Sequence, residues 1–230
     1  MEGNLAMGYY IDLEAISLER YKQSLSEEYL APSRLVIKER IDERFARLES
    51  SGITNAQQLF KALKTKAKVE QTAQSSGVTE AYLTMLSREI RSHIKKPIKL
   101  KEFTLVSEMA AQKLDALGLG NTVVLYERIL THDSRYQLAN TLRIDEDEVL
   151  TIAKLVDLSR IRWVNHTFTQ VLLEAGYEST KQVADADGQE MYDTIKILNE
   201  DKQLFKGSIG QNDIKLCIEV AGKLEHELKL

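Results

Sequence analysis

Residues 159 to 176 read "SRIRWVNHTFTQVLLEAG". Ile161, Val164 and Leu172 recur at the apolar packing positions of a helical hairpin, with Thr169 at the small one. Asn165 is a good N-cap, because its side-chain oxygen can accept a backbone N–H of the following turn. Gly176 can take the left-handed conformation that ends a helix. Two short helices joined by a tight turn are therefore expected, with Trp163 filling a core position and largely buried.

The same pattern lies upstream. At an offset of 58, "LKEFTLVSEMAAQKLDALGLGNT" from Leu100 aligns with "LSRIRWVNHTFTQVLLEAGYEST" from Leu158, pairing Val106 with Val164, Gln112 with Gln170, and Gly118 with Gly176. At an offset of 66, the stretch from Leu48 aligns without a gap with that from Leu114. Gly52 then pairs with Gly118, Asn55 with Asn121, Leu59 with Leu125, Thr65 with Thr131, and Ala73 with Ala139. Asn55, Asn121, Thr65, Thr131, Thr79 and Asp145 are expected N-caps. Three related helical modules follow from a repeat of this length. Their helices are too short to be stable alone and must be held by packing.

Apolar spacings of three and four run through the rest of the chain without strand-like alternation, so the fold is expected to be all-α, with no sheet. Pro32 is tolerated in a first turn, and a helix is expected from there to Gly52, with Leu35, Ile37, Ile41, Phe45 and Leu48 on its apolar side. Pro97 disfavours helix at Lys96. The expected division is a domain over residues 1–98, carrying N-terminal helices and a first module from about 44. A second domain over 99–230 would hold modules at about 100–157 and 158–198 and a C-terminal helix. The modules are expected to form an elongated body.

The chain of 230 residues has a formal net charge of −4, unevenly spread. Residues 1–60 carry seven basic and ten acidic side chains, residues 61–101 ten and three, and the remainder fourteen and twenty-two. The overall sign argues against general nucleic-acid affinity, whereas the basic island argues for a local phosphate-facing patch. Its candidates are Arg88, Arg91, Lys95, Lys96, Lys99 and Lys101, joined by Arg160 and Arg162 of the hairpin. A weaker anion-binding turn is Lys206, Gly207 and Gly210, ahead of a helix that Asn212 could cap.

In helix-hairpin-helix modules the order is apolar, any residue, Gly, apolar, Gly, three residues, Ala, two residues, apolar. Ile161, Val164, Thr169 and Leu172 occupy the packing positions, as do Phe103, Val106, Ala111 and Leu114 in the other copy. Through "DLSRIRWVNHTFTQVLLEAGYES" (157–179), and its repeats over most of 44–198, the chain resembles a bacterial family of unknown function built from tandem helix-hairpin-helix-like repeats. That resemblance implies small helical modules of the sterile-alpha-motif-like (SAM-like) kind found in DNA-repair and recombination proteins. It implies no established activity. The hairpin glycines are replaced by Trp163 and Asn165, and by Leu105 and Ser107. Glycine there clears a path for backbone N–H groups to reach a phosphate, so these replacements favour a structural hairpin.

No catalytic constellation emerges. His93, His132, His166 and His226 lack ligand spacing, and Cys217, the single cysteine, lies among apolar residues as core filler. "DEDE" at 145–148 suits the electropositive start of a helix. No cofactor or metal is expected, no apolar run is long enough to cross a bilayer, and a cytoplasmic location follows. Tyr9 and Tyr10 are read as anchors of an arm on the first module. The expectation is a non-enzymatic scaffold for another protein, with nucleic-acid binding through the 61–101 segment as the alternative.

Overall fold

The computed structural model describes residues 8–30, 32–207 and 209–230. Their regular structure is helical, with isolated bridges in place of strands. The chain divides into two compact units, one of residues 12–95 and one of residues 8–11 together with 96–230.

The 12–95 unit holds α1 (Leu18–Glu27), α2 (Ile41–Ser50), α3 (Ala56–Ala62), α4 (Lys66–Ser76) and α5 (Glu80–Arg91). The single helix expected from Pro32 to Gly52 is two pieces. Pro32–Ile37 forms a 3-10 turn, and Arg40 adopts a left-handed φ of 48° before α2 begins. The break lets Ile37 and Ile41 both enter the core, while Leu35 is left exposed. Long cations bond carbonyls at the break and at the end of α1. Lys38 Nζ donates to the carbonyls of Ser26 and Glu28, and Arg44 donates to those of Val36 and Glu39.

The other unit holds α6 (Glu108–Ala116), α7 (Thr122–Leu125) with its 3-10 continuation Tyr126–Arg128, α8 (His132–Leu142), α9 (Glu146–Leu158), α10 (His166–Glu174), α11 (Thr180–Ala184), α12 (Gly188–Lys202) and α13 (Gln211–Ala221). Two apolar clusters build it, one on Phe103, Leu114, Tyr126 and Ile152, the other on Ile161, Leu172, Met191 and Ile214. Cys217 is buried in the second.

The helix sets α2–α5, α6–α9 and α10–α13 share two local features, a left-handed glycine after the first helix and a side-chain N-cap on the second. Gly52, Gly118 and Gly176 follow α2, α6 and α10 at φ of 96°, 73° and 93°. A Cβ would meet nothing within 4 Å at any of them. Glycine is needed for its backbone angle and not for space. Asn55, Asn121 and Ser179 are extended N-caps whose side chains accept backbone N–H groups of α3, α7 and α11. Behind two of these caps lie single bridges, Ser17 to Asn55 and Lys99 to Asn121. Each is closed by the residue after the cap, Ala56 N–H to Ile16 O and Thr122 N–H to Ile98 O, both at 2.9 Å.

Residues 8–11 depart from the expected domain. Tyr9 is buried in the core of the 96–230 unit beside Tyr126, and Tyr10 packs against the same cluster, rather than anchoring an arm on the first module. The Tyr9 hydroxyl is within 2.9 Å of both Thr122 Oγ1 and Ser159 Oγ. Burial is the main cause that pushes its pKa up. A phenol with two hydroxyl partners inside an apolar cluster is held neutral there.

Candidate functional site

The hairpin turns before α6 and α10 lie side by side. Gln170 of α10, buried, accepts from the backbone N–H of Leu105 (3.1 Å) and from Thr104 Oγ1 (3.0 Å). His166 Nδ1 stands 3.5 Å from Glu102 Oε2 across the same seam. Gln112, the equivalent of Gln170 in the preceding copy, is exposed and bonds to Glu108 in its own helix. The paired glutamines thus diverge, and only Gln170 staples one turn to the next.

The backbone donors of the first turn are already used. Ser107 N–H, at the second hairpin position, donates at 2.8 Å to Glu148 Oε1 of α9, while the Ser107 hydroxyl caps Ala110. A carboxylate therefore occupies the place where a phosphate oxygen would have to go. The acidic "DEDE" run does two structural jobs, since Asp145 caps α9 by accepting from Asp147 N–H.

The second turn contains the correction of greatest weight. Trp163 is 43% exposed, not buried, and its φ is 68°. It takes a left-handed geometry that glycine adopts freely, and its side chain is swung outward. The Arg162 guanidinium lies 3.7 Å over the indole ring centroid. Such a stack contributes about 0.5–2 kcal/mol, of the same order as the cost of a left-handed non-glycine residue. Trp163→Gly is therefore expected to change stability by less than about 1 kcal/mol, while Trp163→Ala, which loses the ring and keeps the strain, falls below Trp163→Gly by about 1 kcal/mol. Chemical denaturation of the two variants reads this order, and an alanine variant at least as stable as the glycine one would remove the strain argument.

Arg160 and Arg162 are each only 5% exposed. Arg160 Nη1 donates to Asp157 Oδ1 at 2.8 Å, its Nη2 to Gly8 O at 2.8 Å and its Nε to Tyr9 O at 3.2 Å. Its guanidinium also lies 4.5 Å over the Tyr126 ring. It is a core arginine, sequestered by residues far away in sequence. Asp157 Oδ2 accepts from Thr180 N–H (2.7 Å) and Thr180 Oγ1 (2.9 Å). In the third copy a buried carboxylate thus replaces the backbone carbonyl that serves Ala56 and Thr122. Asp157 was not a sequence candidate, although its three-residue spacing to Arg160 on a helix end was a usable signal.

The remaining candidates are dispersed. Arg88 and Arg91 are exposed and Lys95 is half-buried in the 12–95 unit, while Lys96, Lys99 and Lys101 are exposed in the other. Lys206, Gly207 and Gly210 are exposed, but Gly210 N–H donates to Asp213 Oδ2 at 2.8 Å, so the turn holds its own anion. Ser208 between them lies outside the described residues. Asn212 falls inside α13, whose N-cap is Gly210. Among the described residues no group of three or more His, Cys, Asp or Glu is arranged to hold a metal ion, and no helix is long and apolar enough to cross a membrane.

A family model described as a domain of unknown function matches residues 105–224, which takes in both hairpin turns from Leu105 onward and the helices after them. No curated protein and no solved structure matches the chain.

Proposed function

The chain belongs to the family described as Domain of unknown function (DUF4332), and from that premise we propose that it is a non-enzymatic scaffold whose tandem helix-hairpin-helix-like modules dock another protein in the cytoplasm. One observation carries the reading. At the two hairpin turns the groups suited to phosphate, Leu105 N–H, Ser107 N–H and the Arg160 guanidinium, are bonded within the protein. Apolar side chains are what the turns present: Leu105, Trp163 and, in the first turn of α6, Met109 are all exposed. Scattered exposed apolar residues are ordinary on a protein surface. Here Leu105 and Trp163 fall on corresponding positions of two stapled turns, and a large aromatic at a well-supported turn is the usual kind of protein-binding anchor.

The test is a photoactivatable phenylalanine at Met109 in the full chain, expressed in its own cells. A discrete protein adduct is expected, abolished by Leu105→Glu with Trp163→Glu and retained when the exposed Ile197, on α12, is replaced by Glu. Adducts confined to nucleic acid, or a protein adduct indifferent to the paired substitution, would overturn the reading.

A further inference from the structure

A separate feature of the 12–95 unit is a band of cations. Ser87 Oγ of α5 donates to Leu63 O at 2.7 Å, and Thr72 Oγ1 of α4 donates to Ala62 O at 3.1 Å. These bonds seat the corner between α3 and α4 against the last turns of α5. Lys61, Lys64, Lys66 and Lys68 are thereby brought beside Arg88 and Arg91, and all six are exposed. Glu89, the acid between the two arginines, is turned inward and fully buried against Arg34. Among the described residues only Lys66 of the six has an acid within 4 Å, Glu70 at 3.9 Å.

The fold does not require this charge. Lys66 and Lys68 sit in the first turn of α4, and Lys64 just before it, at the end of a helix where the dipole disfavours cations. The equivalent helices α8 and α12 carry Asp133 and Glu190 in their first turns, as that dipole favours. One copy of three has the electrostatically wrong sign. A local rule broken with only the long Lys66–Glu70 pair to offset it points to a ligand.

We propose that this corner binds the phosphate backbone of a nucleic-acid duplex, an activity distinct from the docking surface on the other unit. Six cations spread over three helices and the corner between two of them, on an open surface, match a line of charge better than one phosphate. The exposed large apolar residues of the unit, Tyr29 and Leu35, lie on neither α3, α4 nor α5, so the band lacks the side chains that insert into a lipid surface. No base-reading element is implied, and binding should be indifferent to sequence.

The full chain would be titrated against a labelled 20-base-pair DNA duplex from 50 to 200 mM KCl. With about five phosphates neutralised, log K should fall with log salt at a slope of about −4 to −5. Lys64→Glu/Lys66→Glu/Lys68→Glu is expected to weaken binding at least about thirtyfold and to reduce the slope by about 3. Its circular dichroism should be unchanged and its melting temperature raised, because acids suit that helix end. The triple glutamine variant should weaken binding less. Lys181→Glu/Lys196→Glu, reversing lysines elsewhere, should stay within about twofold. Absence of binding at 50 mM KCl, equal loss in the Lys181/Lys196 control, displacement by 10 mM inorganic phosphate, or capture by phosphatidylserine vesicles in preference to duplex would each overturn the proposal.

Discussion

Asp157→Ala is expected to lower stability by about 3–5 kcal/mol, the cost of stranding a buried charge. For a chain of this size that amounts to a fall in melting temperature on the order of 10 °C. The carboxylate side chain is 2% exposed and its partner Arg160 is 1% exposed. Alanine would remove the acceptor of Arg160 Nη1 and of both Thr180 donors at once. Arg160 would keep the carbonyls of Gly8 and Tyr9, which stabilise a guanidinium through dipoles but do not neutralise it. Water cannot reach it without opening the core. Combining Asp157→Ala with Arg160→Met removes the charge together with its partner, so the double variant should be less destabilised than the sum of the singles by about 0.5–3 kcal/mol. Thermal unfolding of the three proteins measures this, and simple additivity would show that the two side chains act independently.

Tyr9→Ala is expected to cost about 3–5 kcal/mol, as for other large aromatics removed from a packed core. Tyr9 packs edge-on to Tyr10 and Tyr126, with ring centroids 4.9 and 5.6 Å away, and joins a cluster that runs to Leu155 and Val156. Tyr9→Phe keeps the ring and loses only the hydroxyl, so about 1 kcal/mol is expected. The cost is small because Ser159 Oγ retains the Val156 carbonyl and Thr122 Oγ1 retains Ile98 N–H. Equilibrium denaturation separates the two. Equal losses would place the value of this residue in its hydroxyl; a loss below about 1 kcal/mol for alanine would mean that residues 8–11 do not anchor the unit.

What the sequence made legible was local. Asn55, Asn121, Thr65, Thr131, Asp145 and Asn165 accept backbone N–H groups at helix starts, since capping depends on a residue and the two or three that follow. Even there Thr79 makes no such bond, and Asp213 with Gly210 serves α13 in place of Asn212. The left-handed glycines were legible for the same reason. The candidate site was not, because its character is set by partners distant in sequence. Arg160 reads as a surface cation until Gly8, Tyr9 and Tyr126 enclose it. Ser107 reads as an open turn until Glu148 arrives from 41 residues away. The apolar size of Trp163 points to the core, whereas its left-handed backbone angle accompanies a side chain turned out to solvent. The cationic corner was only partly visible: composition located the basic island, but the bond from Ser87 to Leu63 selects which of its members share a surface.

The Tyr9 contact also dictates an order of assembly. Its hydroxyl meets Ser159, 150 residues later, with the whole 12–95 unit interposed. Closing a disordered loop of that length is slow and entropically costly. A folded insert shortens the effective loop, because the chain between residues 12 and 95 no longer explores independent conformations. During synthesis, residues 8–11 emerge first yet have no partner until α7 and the end of α9 have been made. The inserted unit, complete in its own segment, can fold in that interval. Slowing the folding of residues 12–95 should therefore delay the 96–230 unit as well, a kinetic dependence that runs from insert to host through chain connectivity alone.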